Sequence, residues 1–310
     1  MINYSIIIPH KNSPNQLQSC LLSIPVRDDV QVIVIDDNSS ADIVDFCNFP
    51  KWGGRNYEYY LTKEGKGAGY ARNIGLQHAK GKWLLFIDSD DYVLPTIDEL
   101  FDNYVNCEAD VIFFRPKAVM SDDVTKVSTR ANLYNYLIDS YLDTGNENEI
   151  RTRFYVPWSK FVRMSLIHKY NINFEEIRYS NDVVFSVKVG CFASAIAVVD
   201  NSYYVVTESL HSLTSSFLSK PNELKIRAGA CINAQNVVAH TGRTLDEVSL
   251  MSYLRDLYKE SKKDFFIFFN QTLSFAYNRV YLTRRIFATK KMFPKIVNGI
   301  FVLIFSFFYK

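Results

Sequence analysis

The sequence lacks any paired cysteine motif. Its five cysteines, Cys20, Cys47, Cys107, Cys191 and Cys231, form an odd, scattered set with no Cys-x-x-Cys spacing. That excludes a disulfide framework and a cysteine-based metal site, and it is the pattern of reduced thiols in a cytosolic protein. The first residues lack the basic region, apolar stretch and small-residue cleavage site of a signal peptide, so export is not expected. The nearly all-apolar stretch Ile296 to Phe308 spans only 13 residues, short of the roughly 20 that a helix needs to cross a bilayer. No internal repeat is visible. Acidic residues are absent from residues 265 to 310, which hold seven Lys or Arg. The whole chain is +2, so the first 264 residues carry 2 − 7 = −5. The basic charge is a property of the end alone, and a nucleic-acid partner is not expected. What is present is ordinary for a globular protein: 48% hydrophobic, 22% charged and an aromatic-rich 15% of 310 residues. Such a chain is not disordered and is long enough to bury one large core or two smaller ones.

From Tyr4 to about Phe114 the pattern alternates strand and helix. Short apolar strands are expected at Ser5–Pro9, Val30–Ile35, Tyr57–Leu61, Trp83–Ile87 and Val111–Phe114. A helix is expected from Pro14 to about Ser23, with Ser13 as its cap and Gln16 completing a capping box, and another over Ala68–Ala79. This alternation predicts an α/β domain with a mostly parallel, doubly wound sheet flanked by helices. Residues 115 to 155 read as a polar connection with a helix around Leu133 to Leu142. A helix over Asp182 to Ala193 and strands near 196–199 and 203–206 complete the domain. From Asn222 onward the chain reads as helical. The expected division is a catalytic domain over 1–220, with halves 1–115 and 116–220, and a helical C-terminal region over 221–310.

Two strands end in acid. Ile35 runs into Asp36 and Asp37, and Ile87 runs into Asp88, Ser89, Asp90 and Asp91. In a parallel sheet both loops lie at the carboxyl edge, where open α/β folds bind ligands. Crowded carboxylates raise one another's pKa unless a cation shares them. A hard divalent ion takes one or two protein carboxylates and completes its shell with water and phosphate. A diphosphate-bearing substrate with Mn2+ or Mg2+ follows. Asp37 suits a base imide or ribose hydroxyl, because a carboxylate binds phosphate only through a cation. Solvated acidic turns and helix capping remain open for both loops. Between them, Gly65, Gly67 and Gly69 precede a helix whose N-terminus favours an anion, with Lys66 and Arg72 adding charge. No Gly-Lys-Ser or Gly-Lys-Thr occurs there, so this is not a P-loop. Asp182 opens an apolar helix, where the positive dipole end favours the ionised form a general base requires. Plain capping is the competing reading.

Four segments in order, Ser5-Ile6-Ile7-Ile8-Pro9-His10-Lys11-Asn12, Val34-Ile35-Asp36-Asp37-Asn38-Ser39-Ser40, Gly69-Tyr70-Ala71-Arg72-Asn73-Ile74-Gly75 and Phe86-Ile87-Asp88-Ser89-Asp90-Asp91, resemble family 2 of the nucleotide-sugar glycosyltransferases. The likeness extends through Trp158-Ser159-Lys160-Phe161 and Tyr179-Ser180-Asn181-Asp182. It implies a GT-A (Rossmann-like) fold and a metal-dependent, inverting transfer from a UDP-hexose or UDP-N-acetylhexosamine in bacterial surface polysaccharide synthesis. By this resemblance Asp182 is the catalytic base, Asp37 contacts the donor's base, and Asp88 and Asp90 bind its diphosphate through metal; Pro9, Lys66, Arg72 and Ser89 are further donor-contact candidates. Asp88, Asp90 and Asp91, with His211 from a later loop, are the metal candidates. Trp158 is a candidate for stacking on an acceptor sugar. The chain departs from the family at His10, where Tyr is usual, at Asn38, where Gly is common, and at Asn181, where Glu often precedes the base.

The apolar segment after Arg284, Arg285, Lys290, Lys291 and Lys295 suits a helix lying in an anionic membrane interface. A glycan or lipid-linked acceptor and a cytoplasmic, membrane-peripheral location are therefore expected. Burial of this segment on the domain or in a homo-oligomer is the alternative. Two other functions compete: a noncatalytic nucleotide-sugar-binding protein, encouraged by Asn181, and a sugar-nucleotide pyrophosphorylase. The latter places its Gly-rich loop after the first strand, where this chain has Pro9-His10-Lys11-Asn12.

Overall fold

The computed structural model describes residues 1–45, 57–209, 220–243 and 248–273. Tyr4–His10 forms β1, Val30–Asp37 β2, Glu58–Thr62 β3 and Trp83–Phe86 β4. These four lie side by side in the order β3-β2-β1-β4, all parallel. The near-continuous apolar sequences of β1, β2 and β4 follow from burial on both faces, which alternating side chains of period two then share out, while β3 is a half-exposed edge strand. Ile6, Ile8, Val32, Val34 and Leu85 enter one core cluster. Ile7, Ile33, Ile35, Leu84 and Phe86 enter the other. Helix α1 (Pro14–Ser23) covers the first face with Leu17, Cys20 and Leu21, and α2 (Ala68–His78) covers the second with Ala71 and Leu76. Each such aliphatic side chain contributes about 1.5–3 kcal/mol on burial. Pro14 takes the first helical position as expected, but the Ser13 side chain makes no capping bond.

The second half departs from a purely parallel plan. After β5 (Tyr92–Val93) and α3 (Ile97–Tyr104) come β6 (Val111–Met120), α4 (Asn132–Thr144), α5 (Glu147–Arg153), β7 (Lys160–Arg163), α6 (Met164–Tyr170), α7 (Val183–Phe192) and β8 (Ile196–Glu208). The eight-stranded order is β3-β2-β1-β4-β7-β6-β8-β5. β7 runs antiparallel to both β4 and β6, and β5 antiparallel to β8, so the sheet is mixed. The two short strands expected near 196–206 are one 13-residue strand, and β6 runs on to Met120. Their parallel pairing accommodates register shifts around Arg115, where the polar reading of residues 115 onward broke the strand pattern.

Helices α8 (Pro221–His240), α9 (Val248–Glu260) and α10 (Lys262–Leu273) confirm the helical reading beyond residue 222. They share a small core of their own, and α8 also packs on α7 through Ala234 and Val238. No helix among the described residues is long and apolar enough to cross a membrane. The apolar segment Ile296 to Phe308 lies outside the described residues.

Gly75 marks where α2 crosses the sheet. A Cβ there would stand 2.4 Å from Ile7 Cγ2 and 2.9 Å from Ile35 Cδ1. Gly75→Ala is therefore expected to destabilise the fold by about 1–3 kcal/mol through overpacking, read as a lower midpoint in urea. An unchanged midpoint would mean that the helix shifts freely on the sheet.

Candidate active site

The parallel register places His10 opposite Asp36, so the ends of β1 and β2 open together at the sheet edge. Asp36 is fully buried. Its Oδ1 accepts from Ser39 N–H (2.7 Å), and its Oδ2 accepts from Ser39 Oγ (2.6 Å) and His10 Nδ1 (2.8 Å). His10 Nε2 in turn accepts from Ser13 N–H (3.1 Å), which assigns the neutral Nδ1–H tautomer. Burial alone would raise Asp36, but the bonds from His10 and Ser39 outweigh it and hold the carboxyl below its usual range. Asp36 is thus a brace. Asn38 has φ 62, the left-handed conformation that explains why glycine is common at this position and why asparagine replaces it at low cost. His10 fills its unusual position by building the brace.

Asp37, the neighbouring residue, is held differently. Its Oδ2 accepts from Gly67 N–H at 2.8 Å and lies 3.5 Å from Lys11 Nζ. Its Oδ1 is buried and has no hydrogen-bond partner among the described residues. A buried acceptor left unpaired costs about 1–3 kcal/mol, a cost that a donor brought to it would remove.

The glycine-rich loop does two jobs. Gly67, at φ 97, turns its N–H toward Asp37 and starts α2. Gly69 is a packing position, since a Cβ there would meet the Glu175 carbonyl oxygen at 2.3 Å and Asn181 Cβ at 3.0 Å. That close approach brings Arg72 to its partners. Arg72 is 5% exposed, and its Nη2 donates to Asp88 Oδ1 (2.6 Å) while Nη1 donates to Asn181 Oδ1 (2.9 Å). Its guanidinium also lies over Phe174, 5.3 Å from the ring centre. Lys66 is exposed, over the Tyr70 ring at 4.6 Å.

Of the acidic series after β4, Asp88 and Ser89 are half-buried and Asp90 exposed, facing the open edge. Ser89 Oγ and Ser13 Oγ are 3.5 Å apart. Desolvation within the cleft and the neighbouring charge of Asp88 raise the Asp90 pKa. Asp91 is different: Tyr204 OH donates to its Oδ2 (2.5 Å) and Thr207 N–H to its Oδ1 (2.7 Å). It is 2% exposed and ties β8 to the acidic loop, so both oxygens are committed within the protein. Arg130, unremarked in the sequence, faces all three carboxylates, whose charges raise its pKa against the opposing pull of burial. Pro9 is buried in β1 opposite Ile35.

Asp182 stands immediately before α7, but its side chain makes no capping hydrogen bond, which removes capping as its explanation. The dipole argument anticipated an easily ionised acid. Burial instead raises its pKa, with Arg72 opposing, Asp88 adding to the rise and Lys160 opposing more weakly. A carboxylate so raised is the stronger base. Arg151 anchors the far end of α7 by donating to the carbonyls of Gly190 (2.9 Å) and Ala193 (2.6 Å). Trp158 is 1% exposed and stacks on Tyr204 at 5.4 Å, so it is core and not a sugar platform. His211 lies outside the described residues.

The model of glycosyl transferase family 2 matches residues 5–170, more than half of the 310. The chain belongs to that family. It is 25% identical over 227 residues to glycosyltransferase EpsH of Bacillus subtilis, covering 70% of this chain and 64% of EpsH. It is also 25% identical over 261 residues to the poly(ribitol-phosphate) beta-N-acetylglucosaminyltransferase TarS of Staphylococcus aureus, covering 80% of this chain and 44% of TarS. The crystal structure of TarS residues 1–349 with UDP-GlcNAc superposes with a TM-score of 0.58 at 21% identity, covering 88% of this chain and 73% of that one. The fold is thus the GT-A arrangement implied by the motifs.

For this family 2 domain, Asp182 carries a clear stability cost. Its folded pKa is raised, so the cost is absent below the unfolded value and grows as pH rises through the folded one. Asp182→Asn is expected to raise Tm at neutral pH and to lose that advantage below about pH 4. Melting curves across pH check this, and an Asp182→Asn protein less stable at pH 7 would contradict it.

Proposed function

We propose that this protein transfers a hexose or N-acetylhexosamine, with inversion, from a UDP-sugar to a glycan or lipid-linked acceptor in surface polysaccharide synthesis. The observation that carries the reading is the buried Oδ1 of Asp37, an acceptor unmet among the described residues at the same sheet edge as the Asp88–Asp90 loop. An imide N–H of a uracil base satisfies that oxygen. The diphosphate then lies toward Asp88 and Asp90, and the sugar toward Asp182. The UDP-GlcNAc bound by TarS, a related protein, supports the choice of donor.

The acidic loop fits a divalent cation. Asp88 keeps one oxygen on Arg72, while Asp90 is exposed and raised in pKa by desolvation and the Asp88 charge, a repulsion that a cation relieves. No group of three or more His, Cys, Asp or Glu among the described residues is arranged to hold a metal. Mn2+ or Mg2+ would be held by Asp88 and Asp90, with diphosphate and water supplying the remaining ligands. When bound, the ion neutralises negative charge on the departing nucleoside diphosphate. The protein's own part is to seat the base on Asp37 and to place Asp182 against the acceptor hydroxyl. Asp182 takes that proton as the hydroxyl oxygen bonds to the anomeric carbon and the carbon–phosphate-oxygen bond breaks. Attack from the face opposite the leaving group inverts the centre.

Release of UDP from a panel of UDP-sugars, with and without acceptor glycans, tests this reading. One donor should give release that EDTA and Asp90→Ala both abolish, and Asp182→Ala should lower kcat by about 10²–10⁴-fold while UDP binding persists. Donor binding with undiminished turnover in Asp182→Ala would remove the base. Absence of any UDP-sugar binding would remove the donor assignment.

A further inference from the structure

Lys11 has no part in the reading above, yet its ammonium stands at the proposed seat of the base. It follows β1 directly, and 47% of its side chain is open to solvent. Its one polar partner among the described residues is Asp37 Oδ2, at 3.5 Å, longer than a good charged hydrogen bond. That oxygen already accepts from Gly67 N–H at 2.8 Å, so the lysine is not needed to hold the carboxylate in place. An ammonium brings three donors and no acceptor. They gather at the same carboxylate whose buried Oδ1 is unmet among the described residues, on a residue 3% exposed.

The sheet order fixes which edge of a base the ammonium meets. β1 lies between β2 and β4, and β3 lies beyond β2. The Lys11 side chain leaves the end of β1 and reaches back across the end of β2, since a Cβ built on Gly65, in the loop after β3, would stand 3.5 Å from Lys11 Nζ. The ammonium is thus turned toward β3 and away from the acidic loop after β4. Uracil presents one N–H, at N3, between two carbonyls. With that N–H on Asp37 Oδ1 and the diphosphate toward Asp88 and Asp90, O2 lies on the ribose side and O4 on the far side, where the ammonium is. An acceptor beside a donor matches N3–H and O4 together. Cytosine has a bare ring nitrogen and an amino group at those two places, so it sets acceptor against acceptor and donor against donor.

We propose that Lys11 is a specificity residue of the donor site, whose ammonium donates to O4 of the uracil and so selects uridine over cytidine nucleotides. This rests on the base sitting at Asp37, as argued above. Asp37 alone reads a single ring position, and Lys11 adds the neighbouring one. Half exposed and held only by a long ion pair, the side chain closes on the base by a rotamer change and leaves the backbone where it is. A site whose polar groups are left unpaired by the wrong base discriminates more strongly than one that merely fits the right one.

Titration calorimetry of UDP, CDP and 4-thio-UDP in the presence of Mn2+ tests this, the last ligand differing from UDP only at the O4 atom. The wild type should bind UDP most tightly. Lys11→Met should weaken UDP by roughly tenfold, leave CDP unchanged or tighter, and bind UDP and 4-thio-UDP alike, with Tm as in the wild type because the side chain is half exposed. Lys11→Arg, which keeps a charged donor, should retain most of the preference for UDP. An equal loss for all three ligands in Lys11→Met would put the ammonium on phosphate or ribose and overturn the proposal, as would affinities that do not change. A wild type that binds none of the three removes the uridine donor itself and the lysine's role with it. A wild type that binds UDP, with the same selectivity in Lys11→Met, removes the lysine's role alone.

Discussion

The structure depends on one buried guanidinium. Arg72 leaves α2 and holds Asp88, 16 residues on, with one nitrogen and Asn181, 109 residues on, with another. Desolvating a guanidinium is expensive unless its hydrogen bonds are met by carboxylate or amide oxygens in good geometry. Here Asp88 supplies the charge and Asn181 a neutral oxygen, with the Phe174 face beneath. The Nε atom has no hydrogen-bond partner among the described residues. The consequence is geometric: the donor end of the cleft and the residue before the proposed base are fixed to the same side chain.

Around that clamp, similar carboxylates take different roles because their partners differ. Asp36 is bonded on both oxygens and falls in pKa, so it fixes the turn after β2. Asp91 is also bonded on both oxygens, yet burial among Asp90 and Asp88 raises it well above the usual range. It secures β8 beneath the acidic loop. Asp37 keeps one buried oxygen unpaired among the described residues, Asp90 is exposed, and the Asp182 side chain makes no capping bond at α7. The open groups are the ones available to a ligand, and the satisfied ones hold them in place.

The parallel half was legible because β1, β2 and β4 are short apolar runs buried on both faces, and such runs read clearly. The mixed half was less so. β7 is four residues long and carries Lys160, and β6 continues through Arg115, Pro116 and Lys117, residues that read as connection. In both places tertiary pairing overrides local pattern. Asp37 and Asp88 were singled out because they stand at strand ends. Asp91 was grouped with its neighbours because sequence does not show which way a carboxylate points. Trp158 was weighed as a sugar platform, whereas Tyr204 of β8, 46 residues away in the chain, claims its face. The brace at His10 and the clamp at Asn181 both join residues far apart in sequence.

The central claim is that this cleft seats a nucleotide between Asp37 and the Asp88–Asp90 loop. A crystal structure of the protein soaked with UDP and Mn2+ tests it most directly. The account predicts a base N–H within hydrogen-bonding distance of Asp37 Oδ1 and the diphosphate over Asp88 and Asp90, with the Arg72 clamp intact. Nucleotide density elsewhere, or a base turned away from Asp37, would contradict it.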